Sequence, residues 1–221
     1  MEVQRLGLLN KLLIWNSRRD KGDRLNSNPM TKTILVPSNE VFTIANILSP
    51  AECSEYIALS ENIGYTGAPI TTLRGFEMRP DIRNNERVIL DDPERALDLW
   101  QRVSAYIPTT IGKWRAIGLN ERFRFYRYDP GQRFAPHHDG CYRRPNGEES
   151  ILTFMIYLNE GFEGGETRFD LPYYYVKQPH VFVVPVTGMA LCFVHEIQHE
   201  GTAVIRGRKY VLRSDVMYCA A

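Results

Sequence analysis

The chain has 221 residues, enough for one well-filled domain, and its 27 basic and 26 acidic side chains nearly cancel. A net charge of +1 draws it toward neither nucleic acid nor an anionic membrane surface, so a small-molecule or peptide substrate must be recognised locally. No run of about 18 apolar residues exists, which excludes an ordinary transmembrane helix, and four scattered cysteines without a CxxC pattern fit reduced thiols in a cytoplasmic setting.

Residues 1–30 divide into an amphipathic helix, roughly Val3 to Trp15, and a polar tether, "NSRRDKGDRLNSNPM". The helix stands apart as an appendage or packs on the main domain; both readings stay open. Asn10 and Lys11 interrupt its apolar core and no small-residue cleavage site follows, so a secretory signal is not expected. Residues 31–221 form the expected main domain, with a helical segment at about 41–110 and a β-barrel core at about 120–221.

In "LSPAECSEYIALSENIG", Ser49 is an N-cap, Pro50 takes the first helical position, Glu52 completes a capping box and Gly64 ends the helix. A second helix follows Asp92 and Pro93, with Leu97, Leu99, Trp100 and Val103 at roughly helical spacing. From Phe123 onward, β-branched and aromatic runs are cut by Gly and Pro. "RFRFYRYDPG", "SILTFMIYLNEG", "HVFVVPVTG", "MALCFVH" and "KYVLRSDVMY" each read as a strand, which predicts an antiparallel sandwich or barrel. The class is therefore α+β, helices first.

Two motifs carry chemistry. In "RFAPHHDGCYRR", His137 and Asp139 are two apart, so on an extended chain an imidazole and a carboxylate face one side while His138 points away. A two-His-one-carboxylate iron site needs such a pair and one distant histidine. "HEIQH" at 195–199 matches the zinc-peptidase signature HExxH, which requires both histidines on one helical face and Glu196 as base. A strand pattern upstream and Gly201 with "AVI" downstream leave no room for that helix. The stretch is expected to turn off a strand end and deliver one histidine to a barrel mouth.

From Tyr128 the pieces run "YDPGQRFAPHHD", "YLN", "GGETRF" and "HEGTAVIRGRK". This order resembles the prolyl 4-hydroxylase-like branch of the Fe(II)/2-oxoglutarate-dependent dioxygenases, whose pattern is Y-x-x-G-x-x-[YF]-x-x-H-x-D, Y-L-N, G-G-x-T-x-F, then H-x-G-x-x-V-x-x-G-x-K. The resemblance covers roughly Val41 to the end. It implies a double-stranded β-helix, a jelly-roll or cupin-like barrel with covering helices on its N-terminal side. It also implies Fe(II), 2-oxoglutarate and O2, with ascorbate as an accessory reductant, and hydroxylation of a C–H bond coupled to decarboxylation of 2-oxoglutarate to succinate.

Carried over residue by residue, the resemblance makes His137, Asp139 and His199 the iron ligands, and Tyr128 and Tyr157 residues lining the cosubstrate. Lys209 holds the family's basic position. Arg213, four residues on and on the same strand face, offers a carboxylate two parallel bonds where lysine offers one point charge, and is expected to contribute the larger share. Gly164, Gly165, Thr167 and Phe169 are assigned to a tight turn rather than to chemistry. His195 either lines the substrate side or is a hydrogen-bonded structural histidine. Arg83 and Asn84, in the polar stretch "RPDIRNNERV", either reach over the barrel mouth toward substrate or lie in a solvated loop. The alternatives from other classes are a zinc metallopeptidase using HEIQH and a non-catalytic ligand-binding barrel, for which a broken ligand set is expected.

Overall fold

A computed structural model describes residues 28–36, 39–72, 74–171 and 180–221. Apart from residues 28–30, the expected helix and tether lie outside the described residues. Strands β1 (Thr31–Ile34) and β2 (Val41–Ala45) precede helix α1 (Pro50–Ile63), and β3 (Glu86–Asp91) leads into α2 (Pro93–Val103). There follow β4 (Trp114–Leu119), β5 (Arg122–Tyr128), β6 (Phe134–His137), β7 (Glu149–Tyr157) and β8 (Thr167–Asp170). Then come β9 (His180–Val183), β10 (Ala190–Val194), β11 (His199–Gly201) and β12 (Lys209–Ala220), the last preceded by a short strand at Val204–Arg206.

Both helices begin where the cap chemistry places them. Ser49 Oγ accepts from the Glu52 backbone N–H at 3.2 Å while the Glu52 carboxylate accepts from the Ser49 N–H at 2.8 Å, and Asp92 accepts from the Arg95 N–H at 2.9 Å. The stretch expected to be mainly helical also contains β2 and β3, which belong to the major sheet. "VFTIA" and "ERVILD" are only five and six residues long, and the second runs directly into the cap Asp92, so their strand pattern is short. Pairing with a neighbour, rather than local preference, completes them.

The major sheet runs β1–β2–β10–β7–β12–β5–β3, with β4 added to the far part of β12, and the minor sheet runs β6–β11–β8–β9. This is a double-stranded β-helix. The period of two along β5 sorts its side chains between two cores. Phe123 and Phe125 join Cys53, Tyr56, Leu99 and Val103 of the helices, with Tyr56 and Phe125 ring centroids 6.2 Å apart. Tyr126 and Tyr128 join Tyr157, Phe169 and Phe193 between the sheets. Along β7 and β10 the major sheet is largely buried on both faces, so these strands read apolar almost throughout, whereas β3 and β5 carry charged residues.

Gly188 locks the turn before β10 to the start of α1. Its carbonyl accepts from the Ile47 and Leu48 N–H groups at 3.0 and 3.3 Å, its φ is +77°, and a Cβ there would lie 2.0 Å from the Leu48 carbonyl oxygen. No described helix is long and apolar enough to cross a membrane.

Candidate metal centre

Antiparallel pairing of β6 with β11 sets His137 directly opposite His199, with ring centroids 4.3 Å apart. Each ring is oriented from behind. His137 Nδ1 donates to the Ala135 carbonyl at 2.8 Å and its ring stacks on Phe134 at 3.5 Å; His199 Nδ1 donates to the Ile197 carbonyl at 3.0 Å and its ring meets Phe193 at 4.4 Å. Those carbonyls select the Nδ1–H tautomer and leave both Nε2 lone pairs facing inward.

Asp139 lies just past the end of β6, where its backbone N–H donates to the His195 carbonyl at 3.0 Å. Its carboxylate oxygens are 3.7 Å from each Nε2, and one ligand atom from each of the three residues falls within 4.8 Å of the others. One ion bonded at roughly 2 Å to nitrogen and oxygen donors spans such a set with small side-chain adjustment.

Protonation states suit a cation. Burial, with the neighbouring His199, pushes the His137 imidazolium down to about 3, and burial also lowers His199. For Asp139, burial favours the neutral acid, but Arg213, His199 and His137 outweigh it and hold the carboxyl well below the usual range. At neutral pH the set is two neutral imidazoles and one carboxylate, which binds a divalent ion without first losing a proton. The donor set of two imidazoles and one carboxylate therefore fits Fe(II).

Behind Asp139 runs a hydrogen-bonded chain. Thr153 Oγ1 donates to Asp139 Oδ2 at 2.5 Å and accepts from His195 Nδ1 at 3.0 Å, while His195 Nε2 accepts from Ser150 Oγ at 3.0 Å. His195 is thus buried and hydrogen-bonded behind the metal ligand; it faces a separate groove with Ser150 and Cys141, not the cavity in front of the ligands. Between the two histidines the chain makes a turn, with Glu196 exposed and the Ile197 N–H donating to the Val194 carbonyl at 3.1 Å. The zinc-peptidase arrangement is absent from this stretch because no helix forms there. The ligand set is also unbroken, unlike that expected of a non-catalytic barrel.

A cavity continues inward from the ligands, lined by Tyr128, Thr167, Lys209 and Arg213 among others. Lys209 is 2 % exposed, donates to the Gly165 carbonyl at 2.6 Å and stands 5.2 and 5.5 Å over the Tyr128 and Tyr157 rings. Burial pushes its ammonium down to about 7, and it forms no ion pair among the described residues. The Tyr157 hydroxyl is 2.7 Å from Thr167 Oγ1, and burial pushes Tyr128 up to about 12. Thr167 and Gly165, assigned from sequence to a turn alone, therefore also shape this end of the cavity.

Arg213 is placed differently from the expectation. Its Nη2 lies 3.2 Å from Asp139 Oδ2 and 3.1 Å from Asp215 Oδ1, so the chain's own carboxylates share that nitrogen, while the buried Nε has no hydrogen-bond partner. Burial works against the charged form, but Asp139 and Asp215 outweigh it and raise Arg213 above its ordinary value. Arg83 is buried between the Tyr126 and Phe134 rings, at 4.5 and 4.4 Å. Asn84 is exposed, where it accepts from the Arg133 N–H at 2.7 Å and clasps the turn before β6. Thr153 was not singled out from sequence, although alternation from Tyr157 places it on the same face of β7.

Residues 123–214 match the model of the 2OG-Fe(II) oxygenase superfamily. Prolyl 4-hydroxylase 1 of Arabidopsis thaliana is 26 % identical over 137 residues, which cover 61 % of this chain and 48 % of the relative. Probable prolyl 4-hydroxylase 3 of the same plant is 26 % identical over 205 residues, covering 76 % and 66 %. The chain spans about half the length of most of the curated relatives it matches. A prolyl hydroxylase from Trichoplax adhaerens, solved with a hypoxia inducible factor peptide fragment, superposes with a TM-score of 0.60 at 17 % identity over 81 % of this chain and 84 % of that one. A viral collagen prolyl hydroxylase from Paramecium Bursaria Chlorella virus-1, in its 2-oxoglutarate complex, gives 0.53 at 20 % identity over 80 % and 96 %. These likenesses establish the barrel topology.

Proposed function

We propose, on the premise that this barrel is a 2OG-Fe(II) oxygenase domain of the prolyl 4-hydroxylase-like type, that the protein hydroxylates a C–H bond while converting 2-oxoglutarate to succinate. The observation that carries the reading is one cavity with two neutral imidazoles and a carboxylate at one end and the buried ammonium of Lys209 at the other. When bound, Fe(II) with 2-oxoglutarate and O2 supplies the oxidising chemistry. His137, Asp139 and His199 hold the ion.

Lys209 anchors the far carboxylate of 2-oxoglutarate. It is the cavity cation without a carboxylate partner among the described residues, whereas Arg213 is engaged by Asp139 and Asp215. Arg213 instead acts on the ligand: with Thr153 it keeps Asp139 ionised and fixes its angle. Tyr128 and Tyr157 pack beneath the lysine, and Tyr157 orients the Thr167 hydroxyl. The aromatic walls from Phe134, Phe193 and Tyr126 limit water near the reacting centre.

The substrate is a peptide, amino acid or small metabolite; the Trichoplax relative's peptide complex supports the first of these. The test is incubation of the full chain with Fe(II), 2-oxoglutarate, ascorbate and candidate compounds, with succinate and the mass of the products measured. Succinate above background and a product heavier by one oxygen atom are expected. Failure to bind both Fe(II) and 2-oxoglutarate would refute the reading.

A further inference from the structure

On the open face of β3 and β5, beside the metal ligands, guanidinium groups outnumber carboxylates. Arg87 pairs in register with Tyr126, and Arg124 pairs with Arg213. Directly opposed residues share a face, so Arg87, Tyr126, Arg124 and Arg213 line one surface of the sheet. Arg83 joins them from the preceding segment with its guanidinium over the Tyr126 ring. The carboxylate of Asp215 serves two of these groups, Arg124 at 3.0 Å and Arg213 at 3.1 Å. Arg83 and Arg87 have no ion pair among the described residues.

Arg83 is the most telling of the four. It is 5 % exposed, its Nε donates to Asn85 Oδ1 at 2.8 Å, and its Nη2 has no hydrogen-bond partner. A buried guanidinium nitrogen left without an acceptor is costly unless a ligand supplies one. Tyr126 feels the same cationic surroundings: burial opposes ionisation of its hydroxyl, yet Arg83, Arg213 and Arg124 together lower it. The Phe134 ring also stacks on His137, so Arg83 is two ring contacts, 4.4 and 3.5 Å, from a metal ligand.

We infer that Arg83 and Arg87, supported by Arg124 and Tyr126, form an oxyanion subsite that holds a carboxylate or phosphate group of the substrate while its C–H bond faces the metal. This rests on the oxygenase reading above and specifies its substrate class as anionic. The subsite is separate from the Lys209 end of the cavity, so substrate and cosubstrate each have their own cation. Planar guanidinium forks suit oxyanions, and the aromatic sandwich fixes the Arg83 fork in advance.

The experiment is isothermal titration of the full chain, loaded with Mn(II) and N-oxalylglycine, with sodium acetate in one arm and inorganic phosphate in the other. One saturable site for at least one probe is expected, and the tighter probe names the oxyanion class. Arg83→Gln and Arg87→Gln should each weaken that probe about tenfold or more while leaving N-oxalylglycine unchanged. Because Arg83 is buried, Arg87→Gln on the half-buried strand position decides if Arg83→Gln does not fold. Three results would each overturn the subsite: no saturable binding of either probe, binding unchanged in the folded variants, or a loss confined to N-oxalylglycine. If Mn(II) and N-oxalylglycine do not bind at all, the oxygenase reading fails, and the same titrations on the unloaded chain still decide the subsite.

Discussion

The guanidinium of Arg213 stands 3.2 Å from the carboxylate of Asp139, so the strand's strongest carboxylate binder is already bound to a ligand of the metal centre. Lys209, on the same face of β12, lines the cavity and has no carboxylate partner among the described residues. Lys209→Ala is therefore expected to raise the half-saturating 2-oxoglutarate concentration by roughly ten- to over a hundredfold. Arg213→Ala should shift it less and lower unfolding stability by roughly 3 kcal/mol, since Asp215 loses one of its two partners in a buried setting. Cosubstrate titrations and denaturant melts of both variants separate the roles; a larger cosubstrate effect from Arg213→Ala would reverse the assignment.

Asp139→Ala removes the one anionic donor and leaves Arg213 facing two neutral imidazoles. Loss of a metal ligand should exceed the roughly ten- to hundredfold effects usual for outer partners, so turnover is expected to fall by more than about a hundredfold. Calorimetric titration with Mn(II) should show the same loss. Near-normal metal affinity would remove Asp139 from the ligand set.

Thr153→Val keeps the side-chain shape but deletes the hydroxyl that links Asp139 to His195. Metal affinity is expected to drop about tenfold, within the range for groups that orient ligands, with the cosubstrate affinity of the metal-loaded protein little changed. Metal affinity equal to wild type would show that Arg213 alone suffices to orient the carboxylate.

Glu196→Gln should leave 2-oxoglutarate turnover as in wild type and change stability by less than about 0.5 kcal/mol, because Glu196 is exposed on a turn. Abolished turnover in this variant, with His137→Ala still active, would restore the metallopeptidase reading of HEIQH.

Burial lowers the Lys209 ammonium to about 7. Its charge is present below that pH and lost above it, so affinity for 2-oxoglutarate should be strongest on the acid side and decline as pH rises through about 7 and beyond. Lys209→Arg, whose guanidinium stays protonated, should flatten that decline even if its overall affinity is lower. Mn(II)-loaded binding measured between pH 6 and 9 tests this, and a flat wild-type profile would contradict it.

The local signals in the sequence read through to the structure: the cap residues Ser49 and Asp92 start the helices, and alternation along β5 divides Phe123 and Phe125 from Tyr126 and Tyr128. These depend on neighbours within about four residues: side-chain cap bonds start the helices and the alternation of an extended backbone sorts the strand faces. The ordered motifs around His137, Asp139, His199 and Lys209 also pointed to one cavity. Only the tertiary structure decided that β2 and β3 complete the major sheet, that His195 sits behind the ligand through Thr153, and that Arg213 turns to Asp139 and Asp215. Strand register and the pairing of buried charges bring together residues far apart in sequence, and no local preference encodes which partner a buried charge will meet.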